Sequence, residues 1–379
     1  MSKVEIVRGL EAIAELQPHW DALFDRLAYR SHVQSHAWLM QHLSCLEDDA
    51  QQVQIALVRD SGLVQAIVPL RFSPLRLGPI SIARWSLLWH PHATISPILL
   101  APEVDAYQTI RCIVDHFTRQ STQGDTRLDF LALPSMLDDG SWSRRFERDR
   151  DRVLLGGLFP SFVFDTSSAD SALAATSSHF RKNLRQRRRK LDKLGNVTLD
   201  VAVVSDRSAA ALGEFFALEA SGWKGEGGKA SAIQLHPRLI RFYAGMVDGL
   251  KSRQRVWIPI LRLDGRAVAA AFCVQTDSTL ALLKNGYDET LGQAAPGNVL
   301  LAMLLEACGA DPAISALSLV TAPKWAETWC PKEVDVYQFE IFAKTWRGLV
   351  LYWLLRLKRT IGRFRRRIAE RRAPAQPTA

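Results

Sequence analysis

The sequence predicts a mixed α/β fold, in which helices pack on a mixed sheet (α+β). It also predicts two copies of this fold in tandem. Two stretches of equal length align without a gap: VQIALVRDSGLVQAIVPLRF from Val53 and VWIPILRLDGRAVAAAFCVQ from Val256. Each has an apolar run, an arginine, a turn ending in glycine and a second apolar run, which is the pattern of a β-hairpin. The elements that follow each hairpin come in the same order, and this agreement indicates a duplicated chain.

Each half is predicted to continue with a strand, a helix and another strand. In the first half these are a strand near Trp85–Trp89, a helix near Val104–Gln120 and a strand from Leu128. In the second half they are a strand from Thr279, a helix from Asn298 to Cys308 and a strand from Ile314. A polar joint, DTSSADS, begins at Asp165. We therefore expect a first domain at residues 1–164 that is not catalytic, a second at 165–343, and a tail at 344–379.

Composition supports two packed domains, because the chain has 379 residues and 47% of them are hydrophobic. Its five cysteines form no CxxC pair, which favours reduced thiols in a cytoplasmic protein over a disulfide framework or a metal site. The N-terminus has no long apolar core, so no signal peptide is expected. No stretch reaches the apolar length of about 18 residues that a membrane span needs.

The net charge of +9 is concentrated in two segments, Arg181–Lys193 and Lys344–Arg372. The remainder of the chain is mildly acidic. A high isoelectric point alone therefore does not indicate nucleic-acid binding, and no DNA partner is expected.

The stretch KNGYDETLGQAAPGNVLLAMLLEACG, from Lys284 to Gly309, predicts an anion-binding helix start. A polar loop follows a strand, Pro296-Gly297 opens the helix, Asn298 is the expected N-cap, and Gly309 is expected to end it. The first N–H groups of a helix lack partners within the helix, and its dipole is positive there. A pyrophosphate fits such a position, and Gly297 has no side chain to exclude it.

The second half resembles the acetyltransferase domain of the CelD-like cellulose-biosynthesis family, within the GNAT superfamily of acyltransferases. The matching pieces lie between Ser178 and Trp329: FRKNLRQRRRKLDKLGNV, LEASGWKGEGG, FYAGM, LRLDGRAVAAAF, KNGYDE, APG and PKW. The resemblance implies two GNAT-like domains in tandem and acetyl-CoA or another acyl-CoA as co-substrate, without a permanently bound cofactor. It places the pyrophosphate at four residues: Pro296, Gly297, Asn298 and Val299.

GNAT chemistry is the direct attack of a nucleophile on a thioester, which needs a positioned acceptor, a route for its proton and a donor to the carbonyl, but no metal. The candidate catalytic residues from the matching motifs are Glu219, Tyr287, Asp288 and Lys324. Glu219 is the candidate base, and the Tyr287 phenol is placed to donate to the leaving sulfur. Tyr287-Asp288 equally fits a turn with a packed tyrosine.

Substrate contacts are predicted at Trp223, Lys224, Arg181 and Arg185. Trp223 is either a wall of the acyl or acceptor pocket or a core anchor for the preceding helix. In Arg181–Lys193, leucines repeat on one helical face and basic side chains cover the rest. This helix either binds anionic material or is a solvated helix packed on its leucines.

His90 and His92 in LLWHPHA are expected to be structural, because no acid or cysteine stands near them in the sequence. The tail, from Lys344, combines tryptophans and leucines with a polybasic run. It fits a helix lying on an anionic membrane surface, and equally a terminal helix that docks on its own domain.

The leading hypothesis is an N- or O-acyltransferase that uses acyl-CoA and acts on a sugar or amine acceptor, in envelope or exopolysaccharide metabolism by family resemblance. The alternatives are aminoacyl-tRNA-dependent transfer of the Fem type and a non-catalytic membrane-associated accessory protein. The expected location is the cytoplasm, with peripheral attachment to the inner face of the cytoplasmic membrane if the tail binds lipid.

Overall fold

The computed structural model describes residues 3–119, 127–137, 152–168, 171–203, 208–250 and 254–372. The strands of the first half are β1 (Lys3–Arg8), β2 (Val53–Asp60), β3 (Leu63–Phe72), β4 (Leu75–Leu77), β5 (Ile80–Ile82), β6 (Arg84–Leu87), β7 (Leu99–Leu100), β8 (Phe130–Leu137) and β9 (Val153–Asp165). Its helices are α1 (Leu10–Glu15), α2 (Gln17–Arg26), α3 (His36–Cys45) and α4 (Ala106–Arg119).

The second half repeats this order of elements. Its strands are β10 (Val197–Val203), β11 (Arg255–Leu263), β12 (Arg266–Thr276), β13 (Thr279–Tyr287), β14 (Ala316–Ser318) and β15 (Lys332–Phe342). Its helices are α5 (Ser171–Ala174), α6 (Ser178–Asp192), α7 (Ser208–Ser221), α8 (Pro237–Gly249), α9 (Pro296–Ala310) and α10 (Trp346–Arg372).

The two predicted hairpins form as β2–β3 and β11–β12. Each turns through a non-glycine residue and a glycine with positive φ, Ser61-Gly62 in the first and Asp264-Gly265 in the second. Each also has a register shift at the equivalent place, between Val58 and Arg59 and between Leu261 and Arg262. An irregularity shared at the same position confirms the repeat more strongly than the hairpin shape does.

The sheet continues in the same way in both halves. β1, β2, β3 and β6 are antiparallel neighbours, and β8 is parallel to β6. β10, β11, β12 and β13 are likewise antiparallel, and β14 is parallel to β13. Helix α4 leads to β8, and helix α9 connects β13 to β14. The predicted α/β fold with two tandem copies is therefore confirmed.

One strand from the end of the second half lies within the sheet of the first. β15 inserts between β8 and β9 and pairs antiparallel with both. β9 in turn pairs with β14. All these strands belong to one sheet of the described residues, and the boundary at residues 164/165 stays a prediction.

Helices cover the two faces of the second-half sheet with different partners. Leu184 and Leu191 of α6 and Leu304 of α9 pack in one apolar core, which covers one face. Phe215 of α7 and Tyr243 of α8 pack in another core, which covers the opposite face.

Helix α3 of the first half reaches into the α7–α8 core. It packs along α8, and Trp38 makes an edge-to-face contact with Phe242 at a centroid separation of 5.4 Å. This contact holds the loops of the first half against the second half.

Helix α10 docks on the first half by one face only. The buried ring of Tyr352 contacts Phe342, with 5.7 Å between centroids. Arg347 pairs with Asp129 at 3.1 Å, and Arg359 pairs with Glu340 at 2.7 Å.

The opposite face of α10 is apolar and exposed. Its exposed side chains are Trp346, Leu349, Val350, Trp353, Leu354, Leu357 and Ile361. Within the described part of the chain, no helix has the length and apolar character to cross a membrane.

Candidate active site

The start of α9 is an uncapped helix end, and the short turn Glu289–Ala294 separates it from β13. Ala295, with φ 46°, is the N-cap residue, and no side chain caps the first turn. The expectation that Asn298 is the N-cap is wrong: it is the third residue of the helix, and its N–H donates to the Ala295 carbonyl at 3.0 Å. The helix also runs past Gly309 to Ala310, where Asp311 is the C-cap.

Tyr287 lies against this helix start. A Cβ atom added at Gly297 would lie 3.2 Å from Cδ1 of the Tyr287 ring, which is tighter than an ordinary contact. Two of the predicted site residues thus lie side by side, and a glycine lets the ring approach the first turn of the helix.

Asp288 has a local structural role. Its carboxylate accepts from the Thr290 N–H at 2.9 Å and pairs with Arg266 at 2.9 Å. Burial alone would raise the pKa of Asp288, but the hydrogen bonds from Thr290 and the charge of Arg266 lower it below its usual value. The carboxylate therefore stays ionised as the cap of the turn Glu289–Ala294.

A buried ion pair joins α7 to the loop that follows it. Glu219 is buried, and its carboxylate lies 3.1 Å from Nζ of Lys224. The second carboxylate oxygen accepts from the Ile233 N–H at 2.8 Å, and Lys224 also donates to the Asn285 carbonyl at 2.9 Å. A Cβ atom at Gly286 would lie 2.5 Å from the Glu219 Cα, so this approach of β13 to α7 requires glycine.

Lys284 faces the same pair because β13 is irregular. The register with β12 shifts between Phe272 and Cys273, and this shift turns Lys284 to the α7 side of the sheet. Burial and the charge of Lys224 lower the pKa of Lys284, while Glu219 opposes the change. A lysine whose pKa is lowered gives up its proton more readily and can then act as a proton acceptor.

A loop of the first half completes the cluster. His92 Nδ1 is 2.9 Å from the hydroxyl of Tyr243 on α8. Burial, followed by the charge of Lys284, lowers the pKa of His92 to about 3. Burial, followed by the charge of Glu219, raises the pKa of Tyr243 well above its usual value. Both side chains are therefore neutral near pH 7.

An acid lies near His90 in space, although none stands near it in the sequence. Its ring is 5.9 Å from that of His42, which pairs with Glu47 at 2.9 Å. Burial and the charge of His42 lower the pKa of His90 to about 4. The loop that carries His90 and His92 reaches the second half because α3 packs on α8. No sequence pattern signals this packing.

Three other predicted residues lie at the surface. Trp223 is 52% exposed, and Nζ of Lys229 lies 5.0 Å from its ring centroid, so it is not a core anchor. Arg185 and Lys324 are exposed. Arg181 instead donates to the carbonyls of Leu173 and Thr176, and these bonds hold the turn before α6.

His32 provides a test of the buried histidines. Its side chain is 2% exposed, its Nε2 has no hydrogen-bond partner among the described residues, and burial lowers its pKa to about 4. Below about pH 6.5, His32 binds a proton in the unfolded chain but stays neutral in the folded one. The free energy of unfolding therefore falls as the pH falls. We expect a loss of about 3 kcal/mol at pH 4 from this residue. His32→Phe should flatten the decline of Tm with acid, whereas exposed His19→Phe should not; equal slopes in both would contradict this.

A model of a known protein family matches most of the second half of the chain. Residues 178–325 match the family model of the acetyltransferase (GNAT) domain. This part of the second half is therefore similar to a GNAT acetyltransferase domain. No curated protein sequence matches the chain.

Several solved structures share the fold over nearly the whole chain. FemX has a TM-score of 0.57 at 10% identity, covering 92% of this chain and 99% of its own. The C-terminal domain of a putative lysylphosphatidylglycerol synthetase from Agrobacterium fabrum gives 0.52 at 11%, covering 89% and 95%. L-PGS from Bacillus licheniformis gives 0.51 at 13%, covering 90% and 96%. At these identities the likeness concerns the fold alone.

Proposed function

We propose that the second half transfers an acyl group from acyl-CoA to an amine or hydroxyl acceptor, with the donor pyrophosphate at Pro296, Gly297, Asn298 and Val299. The observation that carries the proposal is the uncapped start of α9 at the carboxyl end of β13, within the segment that matches the GNAT domain. The positive end of the helix dipole and the missing side chain of Gly297 favour a pyrophosphate there.

In this proposal the acceptor nitrogen or oxygen attacks the thioester carbon, a C–N or C–O bond forms, and the C–S bond breaks. Lys284 takes the acceptor proton, and the Tyr287 phenol gives a proton to the leaving sulfur, so no oxidant or reductant is needed. Besides burial, Lys224 lowers the pKa of Lys284 and Glu219 raises it. Lys324, predicted above as a catalytic candidate, is exposed and could contact a phosphate or an acid of the substrate.

Gly297→Glu should weaken CoA binding by on the order of tenfold or more, because it places a carboxylate at the proposed pyrophosphate position. Gly297→Gln is the matched control, since it has the same shape and crowds Tyr287 equally but adds no charge. Calorimetry with CoA should show a much larger loss for the glutamate variant. Equal losses in two folded variants would indicate crowding instead of a phosphate site.

The same titration should give one CoA per chain. In the first half, the Asp105 side chain accepts from the Gln108 N–H at 3.0 Å, so a carboxylate of the protein already caps the start of α4. A second anion is repelled there. Two equivalent sites, or residual tight binding in Gly297→Glu, would argue for a site in the first half.

The second candidate is aminoacyl-tRNA-dependent transfer. The observation in its favour is the position of α6, which packs on α9 through Leu184 and Leu191 and presents exposed basic residues such as Lys182 and Arg185. A polyanion that delivers an acyl group would be attracted by this face. Saturable binding of charged tRNA without CoA favours this candidate, and binding of neither favours a non-catalytic accessory protein.

We further propose that the protein works at an anionic membrane surface through the outer face of α10. The exposed tryptophans and leucines of this face lie beside Arg356 and Lys358, and more arginines follow in the sequence. Apolar side chains flanked by arginines suit the headgroup region of a bilayer. A role in envelope or exopolysaccharide metabolism rests on the resemblance to the CelD-like family alone.

A further inference from the structure

A cavity of about 520 Å³ lies between the two halves of the chain, and we call it the interhalf cavity. Its walls come from residues 27–34 and 95–106 of the first half and from β13 and β14 of the second. Ala281 and Val320, which line it, pack with Tyr243 in the α7–α8 core. Helix α9, with the proposed donor site, lies on the opposite face of the sheet.

The interhalf cavity reaches the place where β13 and β14 separate. These parallel strands pair only from Thr279–Ala316 to Ala281–Ser318, and both residues of the last pair line the cavity. Beyond this pair, β13 continues to Tyr287 along β12, while the other strand ends. The interhalf cavity therefore lies at the start of the strand gap, on the side from which β13 continues towards Tyr287 and the start of α9.

The chain is strained where the strands separate. Val320, two residues after β14, has φ 53°, a conformation that β-branched residues rarely adopt. Its N–H donates to the Ser318 hydroxyl at 3.1 Å. Such strain is retained where the surrounding structure holds it, and it clusters at ligand sites.

The lining of the interhalf cavity is mostly aliphatic. Leu27, Ile95, Ile98, Leu100, Met136 and Val163 form much of its wall. Among the described residues that line it, the charged side chain is Arg30, which is neutralised by Asp277 at 2.7 Å. The hydroxyls of Ser161, Thr279 and Ser318 supply hydrogen-bonding groups near the strand gap. This lining does not suit a charged sugar or a nucleotide, whose polar groups would lose water without compensation.

From these observations we infer that the interhalf cavity binds the acceptor, an amphipathic molecule with an aliphatic chain and a small amine or hydroxyl head. The chain lies against the aliphatic wall, and the head reaches the strand gap near Ser318. From the opposite side of the sheet the donor thioester meets it there. That the bound molecule is the acceptor rests on the proposed acyl transfer. That the cavity binds an aliphatic chain does not.

Chain-length dependence tests the binding. The full chain is titrated with hexan-1-ol, octan-1-ol and decan-1-ol by calorimetry. Each buried methylene should strengthen binding about fourfold. Ala28→Trp, at the exposed rim, and Ala281→Phe, inside, should each weaken octanol binding at least tenfold, whereas Ala310→Phe on the exposed end of α9 should not. Affinity that is independent of chain length, or unchanged in Ala28→Trp, overturns the inference.

The acceptor role has its own readout. Thiol release from acetyl-CoA should be faster with octan-1-amine than with propan-1-amine, and Ala28→Trp should remove the difference. Equal rates with the two amines overturn this role. Calorimetry with CoA separates the two proposals: alkanol binding without CoA binding rejects the acyl-CoA function alone, and CoA binding without alkanol binding rejects the cavity inference alone.

Discussion

Lys284→Arg is expected to lower kcat for acyl transfer by about a hundredfold to ten-thousandfold, the usual contribution of a positioned proton acceptor. Arginine keeps the positive charge but does not release its proton in a protein, whereas burial and Lys224 favour the neutral form of Lys284. The measurement is thiol release from acyl-CoA over a range of pH. Lys332→Arg, at an exposed position on β15, is the matched control and should leave kcat unchanged.

The pH profile separates proton transfer from electrostatics. A lysine base works when neutral, so kcat should rise with pH through the pKa of Lys284. Glu219 raises that pKa, and Glu219→Gln should therefore move the rising limb to lower pH. If Lys284→Arg keeps activity within about threefold, the positive charge is the feature that matters, and the base must be another group.

Much of the fold could be predicted because its turns, strands and helices produce recognisable patterns in short stretches of the sequence. The turn at Asp264-Gly265 and the apolar runs beside it identified a hairpin, and its counterpart at Val53 revealed the duplication. The place of β15 could not be predicted in this way. A strand shows its periodicity in the sequence but not its partners, and those of β15 lie far away along the chain.

The candidate site was predicted only in part for the same reason. The Pro-Gly helix start is a local signal, and Glu219 and Lys224 came from one matching motif. Lys284 and Tyr243 also stood in quoted motifs but had no assigned role. For Lys284, a usable signal was its place directly after the apolar run TLALL, still within the predicted strand. For His92 there was no sequence signal, because its contact with Tyr243 depends on the packing of the two halves.

For the tail, the sequence left membrane binding and docking as alternatives, and the structure makes them compatible. Tyr352 and Arg347 hold the inner face of α10, while the apolar side chains of the outer face have no cover among the described residues. Deleting residues 344–379 would therefore remove packing as well as the outer face. Substitutions on the outer face alone are the sharper test.

Leu354→Glu with Leu357→Glu is expected to weaken binding to anionic vesicles at least a hundredfold. The two leucines are 50% and 58% exposed, so the change leaves the docked face of α10 intact. Burying a leucine contributes roughly 1.5–3 kcal/mol, and each new carboxylate offsets about 1 kcal/mol of the attraction between the arginines and an anionic surface. Cosedimentation with anionic and with neutral vesicles measures the effect.

The matched control is Leu63→Glu with Leu194→Glu, which changes two leucines of similar exposure, 61% and 57%, away from α10. It adds the same charge and should leave vesicle binding nearly unchanged. Raised salt should release much of the bound wild-type protein, because the attraction of the arginines acts only within a Debye length of about 8 Å. Binding of the α10 variant within threefold of wild type would mean that α10 only docks on the first half. Equal binding of the wild-type protein to neutral and anionic vesicles would mean that the arginines add no attraction to an anionic surface.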